Sequence, residues 1–236
     1  MDALRKELRE YYSAHSFREL GGKKEYNPFL AEMDAWADAH PQASALELKT
    51  VQYEIIAARF TPVLFRNTPF FSEMGVRIAE YDGIGMGPGA WLMLRNQHLW
   101  NDENPDLYRL HGEFSKAGFH IFYGPFVDPD HHCFPFTAVL RNGLEYFHDE
   151  FGKGEQNEFT AMTRRTLLAV RRIAEKFAEA AQKLAERLDR LPQKRNMERL
   201  AAAARRVPWK PAESFYEGLC VLWFLHEVCG SIDGIG

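Results

Sequence analysis

Cysteine is scarce in this chain: Cys133, Cys220 and Cys229 are the only three among 236 residues, and no C-x-x-C pair occurs. That scarcity excludes the disulfide framework of a small secreted domain and fits a reducing, cytoplasmic compartment. No apolar run approaches the ~20 residues that a membrane-spanning helix requires. The N-terminus, MDALRKELREYY, is charged from its second residue, so the apolar core of a secretory signal is missing. An excess of one charge is missing too. Lys and Arg number 29 against 33 Asp and Glu, for a net charge of −4. Such a balance provides no broad attraction to nucleic acid or to acidic lipid, and neither is expected as a partner. The sequence also contains no H-E-x-x-H and no Gly-Lys-Ser/Thr phosphate-loop ending.

What the sequence has in quantity is apolar residues at helical spacing. Hydrophobic residues make up 46% of the chain, enough for a sizeable core. Residues 2–14 place Leu4, Leu8, Tyr11 and Tyr12 on one face, and helices are predicted at 28–39 and 45–60 on either side of Pro41. Between residues 61 and 135 aromatics, glycine and proline are dense and periodicity fades, so this stretch reads as irregular. Within it, AWLML (90–94) fits a short buried strand or a helix turn. Helical periodicity returns at 136–151, on Phe136, Val139, Leu140, Leu144 and Phe147. The longest helix is predicted from Glu158 to Leu191, with a stripe running from Phe159 through Val170, Ile173, Phe177 and Ala181 to Leu188. Pro192 is expected to stop it. A helix at 194–206 follows. The last begins near Phe215, where Ser214 and Glu217 have capping-box spacing, and is expected to end at Gly230. FYEGLCVLWFLHEV is apolar on nearly every face, which predicts burial inside something larger.

Several clusters invite chemical readings. GIGMGPG (83–89) looks like a nucleotide loop, but Pro88 stands where the third glycine of a dinucleotide fingerprint belongs, so it reads as a packing or surface loop. DPDHHC (128–133), with His120 upstream, gathers Asp128, Asp130, His131, His132 and Cys133. Neighbouring side chains of an extended segment point apart, and no second ligand-bearing motif completes a site, so no metal is expected. A metal-dependent hydrolase built on this cluster ranks last among the functional readings. Cys220 and Cys229 lie in the apolar last helix and read as small core hydrophobes. Trp223 and Phe224 read as core aromatics. The pairs Arg164/Arg165, Arg171/Arg172 and Arg205/Arg206 sit on polar helix faces without an interleaved aromatic platform, which argues against nucleic-acid binding.

The run ARRVPWKPAESFYEGLCVLWFLHEV (204–228) resembles a signature of the glycyl-radical enzymes of pyruvate formate-lyase type. Arg206-Val207-Pro208 and Pro211-Ala212 match its proline-rich lead-in, Ser214 to Leu219 its capped helix start, and Trp223-Phe224-Leu225-His226 its W-F-x-H. HHCFPFTAVLRNGLEYF is similar to a further family segment, with His131 on the family histidine, Leu140 and Gly143 matching, and Phe147 at an aliphatic position. In some dehydratase members the matching histidine contacts substrate, so the resemblance makes His131 a substrate-binding candidate. It also implies a ten-stranded α/β barrel surrounded by helices, of which this mainly α chain is the N-terminal helical portion. Residues 1–60 are then a helical lead-in, 61–135 the irregular part and 136–236 the long helices, all within one domain.

The family chemistry uses a glycyl radical, installed by a separate iron–sulfur, S-adenosylmethionine-dependent activating enzyme, and a cysteine in a mid-barrel loop. Neither the cysteine loop nor the R-V-x-G-Y/F radical motif occurs here, and Gly236 lacks the neighbours of that motif. The expectation is therefore an N-terminal segment of a lyase or dehydratase of anaerobic metabolism, without catalytic residues or bound cofactor of its own. It would be inactive alone and partnered by the missing C-terminal portion or a complementary subunit, with the activating enzyme as a further partner. The alternative is a stand-alone helical binding or scaffold protein derived from the same family.

Overall fold

The structure is a computed structural model that describes residues 2–14, 28–74, 90–119 and 135–232. In chain order the helices are α1 (Asp2–Ala14), α2 (Pro28–Ala39), α3 (Ala45–Arg59), α4 (Ala90–Glu103), α5 (Pro105–Lys116), α6 (Phe136–Lys153), α7 (Glu158–Glu186), α8 (Leu191–Arg206) and α9 (Phe215–Ile232). Among the described residues the only β pairing is one antiparallel bridge between Val63 and Glu73. The chain is mainly α, as its periodicity predicts.

α7 is the axis of the bundle, with α3, α6 and α8 packed along it and α9 against α6 and α8. Its inward face carries Ala169, Val170, Ile173, Ala174, Phe177, Ala178, Ala181 and Ala185. Small residues recur at every turn of this face and of α8 (Ala201, Ala203, Ala204), so the two helices can approach closely. The large side chains fill the ends of the contact. Phe177, wholly buried, meets Phe60 at 5.8 Å and Phe71 edge-on at 5.3 Å between ring centres, and Phe71 meets Phe224 at 4.7 Å.

Helix starts follow local chemistry. The side chain of Ser44 accepts the Glu47 N–H at 3.0 Å to begin α3, and Asn157 and Thr160 form a reciprocal capping box at the start of α7. At α9, Ser214 accepts the Glu217 N–H at 3.2 Å, while the Glu217 carboxylate accepts the N–H of Glu213 at 2.7 Å.

Four features differ from the sequence expectations. The stretch 61–135 is not irregular throughout: AWLML opens the fourteen-residue helix α4, and α5 follows directly, with Pro105 in its first turn. α7 ends at Glu186, before Pro192, and Pro192 instead lies in the first turn of α8. A proline's missing N–H costs nothing in a first turn, where it would have no helical partner, so the same residue suits a start as well as a stop. α9 continues past Gly230 to Ile232, where the Ser231 hydroxyl donates to Glu227 at 2.8 Å. Finally, Phe159 is 56% exposed at the N-terminal end of the α7 stripe, edge-on to Phe151.

The segment 60–74 joins α3 to the centre of the molecule. Phe60, Phe65, Phe71 and Met74 are buried, and the Val63–Glu73 bridge (2.8 and 3.3 Å) closes the loop between them. The Phe65 N–H donates to the Ser72 hydroxyl at 3.2 Å. This compact loop forms the floor between α1 and α9.

Candidate functional site

α9 has two apolar faces. Cys220, Val221, Phe224, Leu225 and Val228 turn into the core, Phe224 with no exposure at all. Leu219, Leu222, Trp223 and His226, at three- and four-residue steps, form a second stripe that faces a cleft. Trp223 is 55% exposed and so is not a core residue, contrary to its reading from sequence. A helix at 100° per residue can turn only one stripe towards its own bundle. Phe224 takes that place, and its neighbour Trp223 is left outside.

The cleft, about 760 Å³ in volume, is walled on the opposite side by Leu4, Leu8 and Tyr12 of α1 and floored by Phe65, Phe70 and Phe71. Its polar groups are few. Glu73, only 4% exposed, accepts the Tyr12 hydroxyl's hydrogen bond. Glu227 accepts the Met74 N–H at 2.9 Å as well as the Ser231 hydroxyl. His226 lies on the exposed rim. Among the described residues lining the cleft there is no Lys or Arg, so the polar part of its surface is acidic.

α1 is held in place by its polar side. The Glu7 carboxylate accepts the backbone N–H groups of Arg66 (2.8 Å) and Asn67 (3.1 Å), the Asn67 side-chain amide (2.8 Å) and the Arg66 guanidinium (3.3 Å). Tyr11 packs edge-on against Phe65 and Tyr12 packs tilted to it, at 5.3 and 6.4 Å between ring centres. The sequence shows the α1 stripe but not its destination, and it does not single out Glu7, Glu73 or Glu227. The one signal for Glu73 is a lone acid inside the apolar run PFFSEMGV.

Beside the cleft, the two segments that carry the family resemblance interlock. α6 is broken at Gly143, whose φ of +71° and ψ of 167° leave the helix. The segment Pro208–Ala212 enters the break. Leu144 N–H donates to Pro208 O (2.9 Å), Glu145 N–H to Trp209 O (3.0 Å), and Ala212 N–H to Leu140 O (3.1 Å). A Cβ on Gly143 would stand 2.4 Å from Trp209 O and 2.6 Å from the Lys210 carbonyl carbon. The Trp209 indole N–H donates to Glu145 at 3.1 Å, and Arg171 covers the Trp209 ring at 4.7 Å. Lys210 bonds the same Glu145 carboxylate and holds it below its ordinary pKa.

Residues 113–232 match the family described as pyruvate formate lyase-like, a span that contains both interlocking segments and all of α6 to α9. The chain belongs to the pyruvate formate lyase-like family. No curated protein matches the sequence. Solved structures that resemble this PFL-like chain include a glycyl radical enzyme from Archaeoglobus fulgidus (12% identity, TM-score 0.64, 91% of this chain and 33% of that one). Hydroxyproline dehydratase from Clostridioides difficile is similar over 98% of this chain and 34% of its own, at 12% identity and TM-score 0.64. A structure from Roseburia inulinivorans, concerned with 1,2-propanediol dehydration, is similar at 16% identity and TM-score 0.60, over 84% of this chain and 29% of that one. At these identities the likeness is one of fold. The PFL-like chain thus spans about a third of the length of the glycyl-radical enzymes it resembles.

His131 lies outside the described residues, as do His120, DPDHHC with Cys133, GIGMGPG and Gly236. Cys220 is fully buried, and burial raises its thiol to about 11, as suits a core residue rather than a nucleophile. Cys229 is partly buried. In each arginine pair one member is held by a carboxylate. Arg165 grips Glu54 with two bonds (2.9 and 2.7 Å), Arg172 holds Glu179 (2.7 Å), and Arg206 bridges Glu213 and Glu217 (2.9 and 3.1 Å). Among the described residues no three His, Cys, Asp or Glu side chains converge as a metal site requires. No described helix is long and apolar enough to cross a membrane.

Proposed function

We propose that this chain is the N-terminal helical portion of a glycyl-radical lyase or dehydratase and is inactive alone. The observation that carries the reading is the coverage: nearly all of this chain, 98%, corresponds to only 34% of the hydroxyproline dehydratase. The interlock of Gly143 with Trp209 supports it, because it joins the two segments that carry the resemblance, both inside the matched span. The role of such a portion is structural: α6 to α9 form a wall against which the catalytic core is built. Radical chemistry needs a dry cavity, and a wall of buried aromatics helps to exclude water.

On this reading the glycyl radical and the thiyl cysteine belong to polypeptide beyond these residues, and a separate S-adenosylmethionine-dependent enzyme installs the radical. No step of that chemistry is assigned to the residues described above. His131 is the proposed polar contact to substrate in the complete enzyme.

The test is the coding sequence downstream of codon 236. A continuing frame, or an adjacent gene, that encodes a cysteine loop and an R-V-x-G-Y/F motif is the expected result. A downstream sequence with neither overturns the proposal and favours a stand-alone scaffold protein.

A further inference from the structure

We propose that α6 is a two-state helix. With the Pro208–Ala212 segment docked it is broken at Gly143; with the segment released it closes into one continuous helix, and Glu145 is the catch between the two states. The inference is independent of the function proposed above.

Three observations lead to it. The first is an exchange of hydrogen bonds. In a continuous helix Leu144 N–H would donate to Leu140 O, and Glu145 N–H to Arg141 O. The docked segment takes three of those four groups: Pro208 O accepts Leu144 N–H (2.9 Å), Trp209 O accepts Glu145 N–H (3.0 Å), and Ala212 N–H donates to Leu140 O (3.1 Å). The segment thus stands in for partners that α6 has within itself. When it withdraws, the groups it leaves can pair with one another.

The second is the sequence of α6. Phe136, Val139, Leu140, Leu144 and Phe147 keep helical steps across Gly143, and all of them are buried in the core or packed against it. A continuous helix would set the same five side chains on one face. Within α6 only Gly143 has backbone angles outside the helical region, so one residue is the hinge. Glycine reaches helical angles as readily as its present φ of +71°.

The third is what favours the broken state. Glu145 grips the segment three times: its N–H donates to Trp209 O, one carboxylate oxygen accepts the Trp209 indole N–H (3.1 Å), and the other binds Lys210. Arg171 covers the Trp209 ring at 4.7 Å. Since α6 can make its own backbone bonds, these side-chain contacts decide between the states. Beyond the segment, Arg206 holds Glu213 and Glu217, so the segment can leave as a short flap while α8 and α9 stay joined. The device couples the form of α6 to the lead-in of α9.

The test is amide hydrogen exchange, resolved by residue, on this chain. Release exposes Ala212 N–H but hands those of Leu144 and Glu145 to the helix, so Ala212 should exchange about tenfold or more faster than either. Glu145→Ala should quicken Ala212 by roughly a further tenfold while Leu144 stays protected. Gly143→Ala, whose Cβ would stand 2.4 Å from Trp209 O, excludes the segment and favours the helix. It should leave Ala212 unprotected and Leu144 protected. Equal exchange at all three amides of the wild type, or joint loss of protection at Leu144 and Ala212 in Glu145→Ala, means that the break melts instead of closing and overturns the inference. An unchanged Ala212 in Glu145→Ala removes the catch and overturns it as well. If Gly143→Ala does not fold, the wild-type comparison and Glu145→Ala still decide.

Discussion

Gly143 and Trp209 are in backbone contact across 66 residues of sequence: the Trp209 carbonyl stands 2.4 Å from where a Gly143 Cβ would be, and it accepts the N–H of Glu145 at 3.0 Å. Positive φ and close approach both require glycine here. α6 opens at this point to admit the Pro208–Ala212 segment, and the segment in turn satisfies the N–H groups that the opening frees.

Gly143→Ala should therefore be among the most damaging single substitutions in the chain. The positive φ alone costs about 1–2 kcal/mol for a residue with a Cβ. Displacing the segment also endangers three hydrogen bonds, each worth about 1 kcal/mol. A loss of roughly 3–5 kcal/mol in urea unfolding is expected. Gly112→Ala is the opposite case. This glycine lies in the middle of α5 with open space around it, so the substitution should add roughly 0.5–1 kcal/mol to α5.

Phe177→Ala should be comparably severe for another reason. Its ring is wholly buried between Phe60 and Phe71, and its removal leaves a cavity that fixed helices cannot close. The expected loss is about 3–5 kcal/mol, read as a fall in the thermal midpoint of roughly 10 °C. A variant melting within 2 °C or so of wild type would show that the α3–α7 contact is not the centre of the core.

Glu7→Ala should free α1 without unfolding the rest. The carboxylate joins α1 to the Arg66–Asn67 turn through four donors. Hydrogen bonds to a charged group are worth about 1.5–3 kcal/mol, so amide exchange in α1 should quicken by about 10- to 100-fold. Exchange in α7 should be unchanged. Equal acceleration in both helices would mean that α1 belongs to the global folding unit.

Stability should also fall at high pH through Cys220. Burial raises its thiol from an ordinary 9.0 to about 11 in the folded chain. The unfolded chain therefore releases this proton first, and the stabilisation it provides is complete below pH 9 and lost as the pH rises towards 11. The Tyr216 phenol, pushed upward chiefly by burial, extends the decline above pH 10. In Cys220→Ala the fall between pH 9 and 11 should be shallower in denaturant titrations, although the variant is less stable throughout.

Much of this was legible in the sequence because helical periodicity is a local property. The stripe of α7, the Ser214–Glu217 start of α9 and the mainly α architecture all follow from spacing within a few turns. Pro192 is ambiguous because its chemistry suits either the end of one helix or the start of the next. α4 and α5 do not stand out in the sequence: after AWLML α4 turns polar without a clear stripe, and α5 opens on Pro105 and contains Gly112. α5 buries no residue at all, so no strong stripe marks it.

The sequence by itself determined where α1 to α3 and α6 to α9 form, how α9 is capped, and which family the order of Gly143, Pro208–Ala212 and Trp223–His226 indicates. Only the tertiary structure decided which of two apolar stripes on α9 enters the core, and so turned Trp223 outward beside Phe224. It alone brought Glu7 to the 66–67 turn and Glu73 to the floor of a cleft. The physical reason is that periodicity tells how side chains are arranged around one helix, whereas burial depends on which neighbour arrives, and that neighbour is set by contacts between residues far apart in the chain.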